Sequence, residues 1–186
     1  NKWFSFIVVI IALLFLNIAS HYFFHRFDFT ADKRFTLSEK TKALLSNNQK
    51  PVTITVFLDG QLPPALKRLQ VGVKDLLADY KAYANAEIKL NYVDPLAGLT
   101  AAEQDTVIYN MAQDGIEATR TALKTESGTT EKIIVPAAVI EADGKQMPVK
   151  LLQNFNVAGG YEENINRSIE NLEYIFTSSL KKVLRS

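Results

Sequence analysis

The sequence predicts a mixed α/β domain carried on one N-terminal transmembrane helix. Three features predict it: an uncharged apolar run at the start, β-branched segments alternating with amphipathic helical ones, and an Asp-Gly hairpin signal at 143–144. The chain divides on this reading into a membrane helix over 1–25, a neck with a short helix over 26–50, and an α/β domain over 51–186.

The run from Trp3 to Ser20 carries no charge, and with His21 to Phe24 it extends to 22 residues. A helix needs about 20 mostly apolar residues to cross a bilayer core. Twelve residues between Phe4 and Ile18 are Leu, Ile, Phe or Val. They favour insertion by about 4–7 kcal/mol, and Ser5 and Asn17 remove only part of that. Trp3 and Tyr22 stand near the two ends, where amphipathic rings favour the headgroup zone. Trp3, Phe4, Ile7, Ile11, Leu14 and Tyr22 are accordingly the anchor residues. Two other readings fit the same run. A secretory signal peptide has a similar apolar core, although no Ala-x-Ala site follows and the aromatic run continues past Ser20. A buried core helix is the other, although a helix apolar on every face is unusual in so small a domain.

In the neck, Thr36-Leu37-Ser38-Glu39 has the spacing of a capping box, which predicts a helix from about Leu37 to Ser46. Pro51 opens a strand over Val52–Leu58, rich in β-branched residues and closed by Asp59-Gly60. Pro63-Pro64 starts a long helix, with Leu66, Leu69, Val73, Leu76, Leu77, Tyr80 and Ala84 on one stripe. Glu87 to Val93 alternates as a second strand and stops at Asp94-Pro95. Thr100 to Glu103 is a second capping box, Val107, Ile108, Met111 and Ala112 line its helix, and Gly115 ends it.

Residues 116–126 read as a strand or an extended arm. The run Ile133–Ile140 reads as one buried strand interrupted by Pro136. Ala142-Asp-Gly-Lys145 turns a hairpin back through Met147 to Leu152. After Gly159-Gly160, Ile165, Ile169, Leu172, Phe176, Leu180 and Val183 mark a final helix. The order is β-α-β-α-(β)-β-β-α, with the first crossover implying parallel strands. It resembles the thioredoxin-like arrangement with one added strand. Pro136, near the third core strand, is either a cis-proline beside a peptide-binding groove or the mark of an edge or bulge.

Composition excludes several function classes. Apart from Lys2, twenty Lys and Arg balance twenty Asp and Glu. A neutral domain is a poor nucleic-acid binder, because phosphate neutralisation supplies most of that affinity. There is no cysteine, which removes disulfides, thiolate metal sites and thiol redox chemistry. His21 and His25 have i, i+4 spacing without a third ligand nearby, and read as interface residues. No phosphate-binding Gly-x-x-x-x-Gly-Lys pattern is present, so Gly159-Gly160 reads as a turn. Asp28, Asp32, Asp59, Asp94 and Glu141 sit at turns or helix starts, and none is visibly set against a base or nucleophile. The expectation is therefore a protein without catalysis, cofactor or metal. The neck interleaves Phe23, Phe24, Phe27, Phe29 and Phe35 with Arg26, Asp28, Asp32, Lys33 and Arg34, as suits a segment at headgroup level or on a membrane partner. Phe27, Asp28, Phe29, Arg34, Phe35 and Thr36 are the candidate partner contacts.

The stretch Asp28-Phe-Thr-Ala-Asp-Lys-Arg-Phe-Thr-Leu-Ser38, followed by a short helix and Pro51-Val-Thr-Ile-Thr-Val-Phe-Leu58 behind one apolar span, resembles the GldG family of gliding-motility-associated ABC-transporter auxiliary proteins. Asp94-Pro95 and the Ile-Val-Pro-Ala block at 134–137 are similar to it too. The resemblance implies a multispan ABC permease partner, a separate cytoplasmic ATPase subunit, and a domain projecting into the periplasm from the bacterial inner membrane. It also implies a longer protein, with a second α/β domain and a further membrane helix. The expected function is a non-catalytic accessory subunit. The alternatives are a free-standing membrane-tethered peptide- or ligand-binding module, or a secreted soluble enzyme.

Overall fold

The strand Val52–Val56 (β1) shows how the sequence divides inside from outside. Val52, Ile54 and Val56 are buried while Thr53 and Thr55 are half-buried on the other face, the period-two alternation of a pleated strand. The structure, a computed structural model, describes Trp3 and residues 36–125, 128–153 and 160–185. The chain divides into Asn1–Thr36 and Leu37–Ser186, and the second unit is the α/β domain.

Its elements run α1 (Glu39–Asn47), β1, α2 (Pro64–Tyr83), β2 (Ile88–Tyr92), α3 (Ala101–Gln113), β3 (Thr119–Thr125), β4 (Gly128–Ile134), β5 (Ala137–Ala142), β6 (Lys145–Lys150), α4 (Gly160–Glu170) and α5 (Leu172–Leu184). The fold is mixed α/β. Its main sheet is mixed too, in the order β2-β1-β5-β6. β1 lies parallel to β2, with Val52 opposite Ile88 and Val56 opposite Tyr92. β5 runs antiparallel to β1, and β6 antiparallel to β5. The Asp143-Gly144 turn between β5 and β6 has both φ angles positive, 51° and 71°, as a tight hairpin turn matching strand twist requires.

One face of this sheet carries the main core. α1, α2, α4 and α5 pack together, and α2 and α5 reach the strands. Most of the stripe expected for the long helix is there: Leu66, Leu69, Val73, Leu77 and Tyr80 are buried and meet Ile54, Ile140, Phe176 and Leu180, while Leu76 and Ala84, the latter just past the helix, are half-buried. Each such fully buried side chain contributes about 1.5–3 kcal/mol before the entropy of ordering it is counted. Tyr80 and Phe176 meet edge to face, 6.4 Å between centroids. The other face is largely polar, carrying Thr53, Lys89, Asn91, Glu141 and Gln146. Among the described residues, its end near Phe57 and Val139 is covered by a small separate cluster to which α3 contributes Val107, Ile108 and Met111.

Three sequence expectations need correction, and one alternative left open at Pro136 is decided. The helix after the neck begins at Glu39 with Ser38 as its cap, its Oγ accepting from Thr41 N–H. Thr36 does not start it, because Leu37 is drawn into the core and a buried residue there fixes the chain ahead of the helix. The run 133–140 is not one strand. Its first part ends β4, which pairs with β3 in a separate two-stranded sheet, and its second part begins β5. Pro136 stands at the break: Ala137 N–H donates back across it to Val135 O at 2.9 Å, and Pro136 O accepts from Leu151 N–H. Pro136 is not a cis-proline, since no peptide bond among the described residues is cis. The final helix is two helices, interrupted at Asn171. Among the described residues no helix is long and apolar enough to cross a membrane. The apolar run expected to do so lies, apart from Trp3, outside them.

The two-cluster layering predicts unequal costs of truncation. Phe176→Ala is expected to lower unfolding free energy by about 3–5 kcal/mol, and Met111→Ala by no more than about 2 kcal/mol. Denaturant titration of both variants measures this, and equal losses would contradict the layering.

Candidate functional site

Two places gather polar side chains from distant parts of the chain. The first is where the chain joins the domain. Leu37 is buried, and the next residue donates its backbone N–H to Glu173 Oε1 at 2.9 Å. The same oxygen receives Thr41 Oγ1 at 2.6 Å. An ionised carboxylate only accepts, so Thr41 is the donor in that bond. The order of the remaining hydroxyl protons is then set. Thr177, 3.0 Å from Thr41, donates to Thr41, and Tyr80, hydrogen-bonded to Thr177, donates to Thr177. Burial pushes the Tyr80 hydroxyl far above its ordinary value, with the Thr177 hydrogen bond opposing in part. It therefore stays protonated and able to donate. At Glu173, burial works against the charge. The hydrogen bonds from Ser38 and Thr41, with the Lys42 ammonium nearby, outweigh it and hold the carboxyl below its ordinary 4.5. The effect is mechanical: the start of α1 is fastened to α5 within one residue of the point where the chain enters the core.

The second place is a cleft of about 590 Å³, at the carboxyl ends of the parallel strands β1 and β2, where open α/β sheets commonly hold ligands. Gln70 of α2 fixes its near wall. Buried, it donates to Leu58 O at 3.0 Å and to Asp59 Oδ1 at 2.7 Å, so the turn after β1 is held and Gly60-Gln61 is delivered to the cleft. Asp94, after β2, caps Leu96 N–H at 3.2 Å and receives Lys132 Nζ at 3.1 Å from β4. The same ammonium donates to Gln61 O at 3.2 Å. Gly60 has φ +83°, and a Cβ there would stand 2.8 Å from Asp94 Oδ2. Only glycine leaves that ion pair its room. Gln104 of α3 closes the base by donating to Leu96 O and Leu99 O. Arg120 and Glu131, 3.9 Å apart across the β3–β4 ladder and both well exposed, form the rim.

A smaller cleft of about 110 Å³ lies beside Pro136, lined also by Gly115 and Pro148. Lys150 and Glu117, at 2.6 Å, pair within it.

Of the residues expected from sequence to act as anchor or neck contacts, Trp3 is helical and exposed and Thr36 is half-buried. Phe4, Ile7, Ile11, Leu14, Tyr22, Phe27, Asp28, Phe29, Arg34 and Phe35 lie outside the described residues, as do Asp32 and both histidines. Among the acids flagged at turns, Asp59 and Asp94 come to the cleft and its wall, while Glu141 stays exposed on the polar sheet face. Sequence reasoning passed over Glu173, Thr177, Arg120 and Lys132. A carboxylate in the first turn of α5, just after Asn171, was the one local signal for Glu173. Among the described residues no three His, Cys, Asp or Glu side chains gather as a metal site would require.

The lowered carboxyl at Glu173 has a definite pH signature. A group held below its unfolded value adds stability that is fully present above that value and is lost as pH falls through the folded one. Glu173→Gln is expected to be less stable than the parent by about 1 kcal/mol at neutral pH, a figure for one hydrogen-bonded charge in a part-exposed position. The gap closes below the ordinary carboxyl value of 4.5. Urea titrations across that window measure it, and a gap independent of pH would contradict the assignment.

A family model described as a domain of unknown function, DUF7088, matches residues 31–141. The match takes in Ser38 and Thr41, the Gly60–Asp94–Lys132 cluster and most of β5, and ends before α4 and α5. No curated protein and no solved structure matches the chain. Because the family model covers more than half of the 186 residues, the chain belongs to the DUF7088 family of unknown function.

Proposed function

We propose that this protein is a non-catalytic, membrane-anchored accessory subunit of an ABC-transporter-like complex associated with gliding motility. In this reading Trp3–Phe24 crosses the bacterial inner membrane once, and the domain stands on the periplasmic side. Its partners are lipid, a multispan permease and, through it, a cytoplasmic ATPase subunit. The domain is a thioredoxin-like one, a reading supported by the order β2-β1-β5-β6 with β1 parallel to β2 and antiparallel to β5, and by helices packed on one face. The β3–β4 sheet is its insertion.

The observation that carries the functional reading is the junction. A passive tether needs only a loose linker between anchor and domain. Here the first residues of the unit are a buried Leu37 and a Ser38 whose N–H is bound to Glu173. In the proposed mechanism a tilt or shift of the preceding segment is passed to the core through these contacts. That is a coupling device, which an accessory subunit driven by nucleotide-dependent changes in its partners requires and a bystander does not. The aromatic and charged residues 27–36 then contact the permease rim at headgroup level.

Affinity purification of the full-length protein in detergent is expected to recover a multispan protein and an ATPase in stoichiometric amounts. Recovery of the protein alone from intact membranes supports a free-standing tethered module instead. A Gly/Ser insertion between Arg26 and Phe29 is expected to leave assembly intact and abolish function. Unchanged function with normal assembly would contradict mechanical coupling.

A further inference from the structure

We propose that the cleft between the β1 and β2 loops and the β3–β4 hairpin binds a free α-amino acid, its carboxylate on Arg120 and its ammonium on Glu131. The inference is independent of the membrane anchor and of any partner protein. The volume, about 590 Å³, is in the range of small-molecule sites, roughly 300–1,000 Å³, and leaves room for such a ligand with water.

Charge decides the class. Two cations and two anions line the cleft: Arg120 and Lys132, Asp94 and Glu131. Lys132 and Asp94 satisfy each other at 3.1 Å, and Lys132 also holds Gln61 O. They form the floor and have little left to offer. Arg120 and Glu131 are different. At 3.9 Å they attract, but they are beyond hydrogen-bond distance, so the guanidinium fork and the carboxylate lone pairs, both on the cleft's lining, keep capacity to spare. A phosphate or other polyanion placed on Arg120 would meet Glu131 and Asp94 as like charges. A polyamine placed on Glu131 would meet Arg120 and Lys132. A molecule with one charge of each sign on neighbouring atoms satisfies both groups. It replaces one long ion pair with two charge-assisted contacts, one of them suited to the bidentate fork. An α-amino acid carries its ammonium and carboxylate on the same carbon, matching two partners 3.9 Å apart. Leu96, Ala97 and Ile133 give an apolar wall for its side chain.

Calorimetric titration of the full-length protein in detergent with leucine tests this. Saturable binding is expected below about 10 mM, as befits charges at an exposed rim. N-acetylleucine, lacking the ammonium, and leucinamide, lacking the carboxylate, are expected to bind at least about tenfold more weakly. O-phosphoethanolamine, whose charges lie farther apart, is expected to give no saturation. Arg120→Gln and Glu131→Gln, both at exposed positions, are expected to keep the parent's unfolding midpoint and lose leucine binding. No saturation with leucine, equal binding of the two blocked derivatives, preferential binding of O-phosphoethanolamine, or parent-like binding by both variants would overturn the proposal.

Discussion

A half-buried carboxylate loses part of its water and is held by donors, and at Glu173 the donors come from a segment 135 residues away in sequence, the Ser38 N–H, joined by the Thr41 hydroxyl. Much else in the domain depends on this contact. It fixes where α1 begins, and it orders the protons of the Thr177 and Tyr80 hydroxyls beneath it. It also lets Leu37 enter the core without leaving the adjoining N–H unpaired. The start of α1 is thus held directly to α5.

The sheet distributes the remaining work between its two faces. The face under α2, α4 and α5 is apolar apart from Lys145 at its end and holds the main core. The face that carries α3 is mostly polar, and α3 itself has no buried residue, so it rests on the small cluster around Leu96, Ile116 and Val135. The β3–β4 hairpin joins the body at that same end. The cleft therefore has one wall set by the main core, through Gln70 and the turn after β1. Its other wall is the β3–β4 hairpin, which is tied to the body through Ile133 and Ile134.

What the sequence made legible was local. Thr100 and Glu103 form the expected box, with Thr100 N–H on Glu103 Oε2 at 2.8 Å, because no other element competes for them. Asp143-Gly144 turns the hairpin because a two-residue turn is decided by its own backbone. The apolar stripe of α2 is buried as its spacing implies. The identical kind of signal misled at Thr36, where the tertiary pull on Leu37 outweighed a local cap. It also misled at 133–140, where a continuous apolar run serves two sheets, broken at Pro136, which has no N–H to give a ladder. The candidate sites were less legible. Ser38 with Glu173, and Asp94 with Lys132, meet only once the topology has brought them together, and neither pair leaves a spacing to be read.

The central claim is that Glu173 and α1 act on each other directly. A double-mutant cycle between Thr41→Val and Glu173→Gln, read as unfolding free energy at neutral pH, tests it most directly. Contacting residues in one network are expected to show a coupling of at least about 0.5 kcal/mol. Strict additivity of the two substitutions would contradict the account.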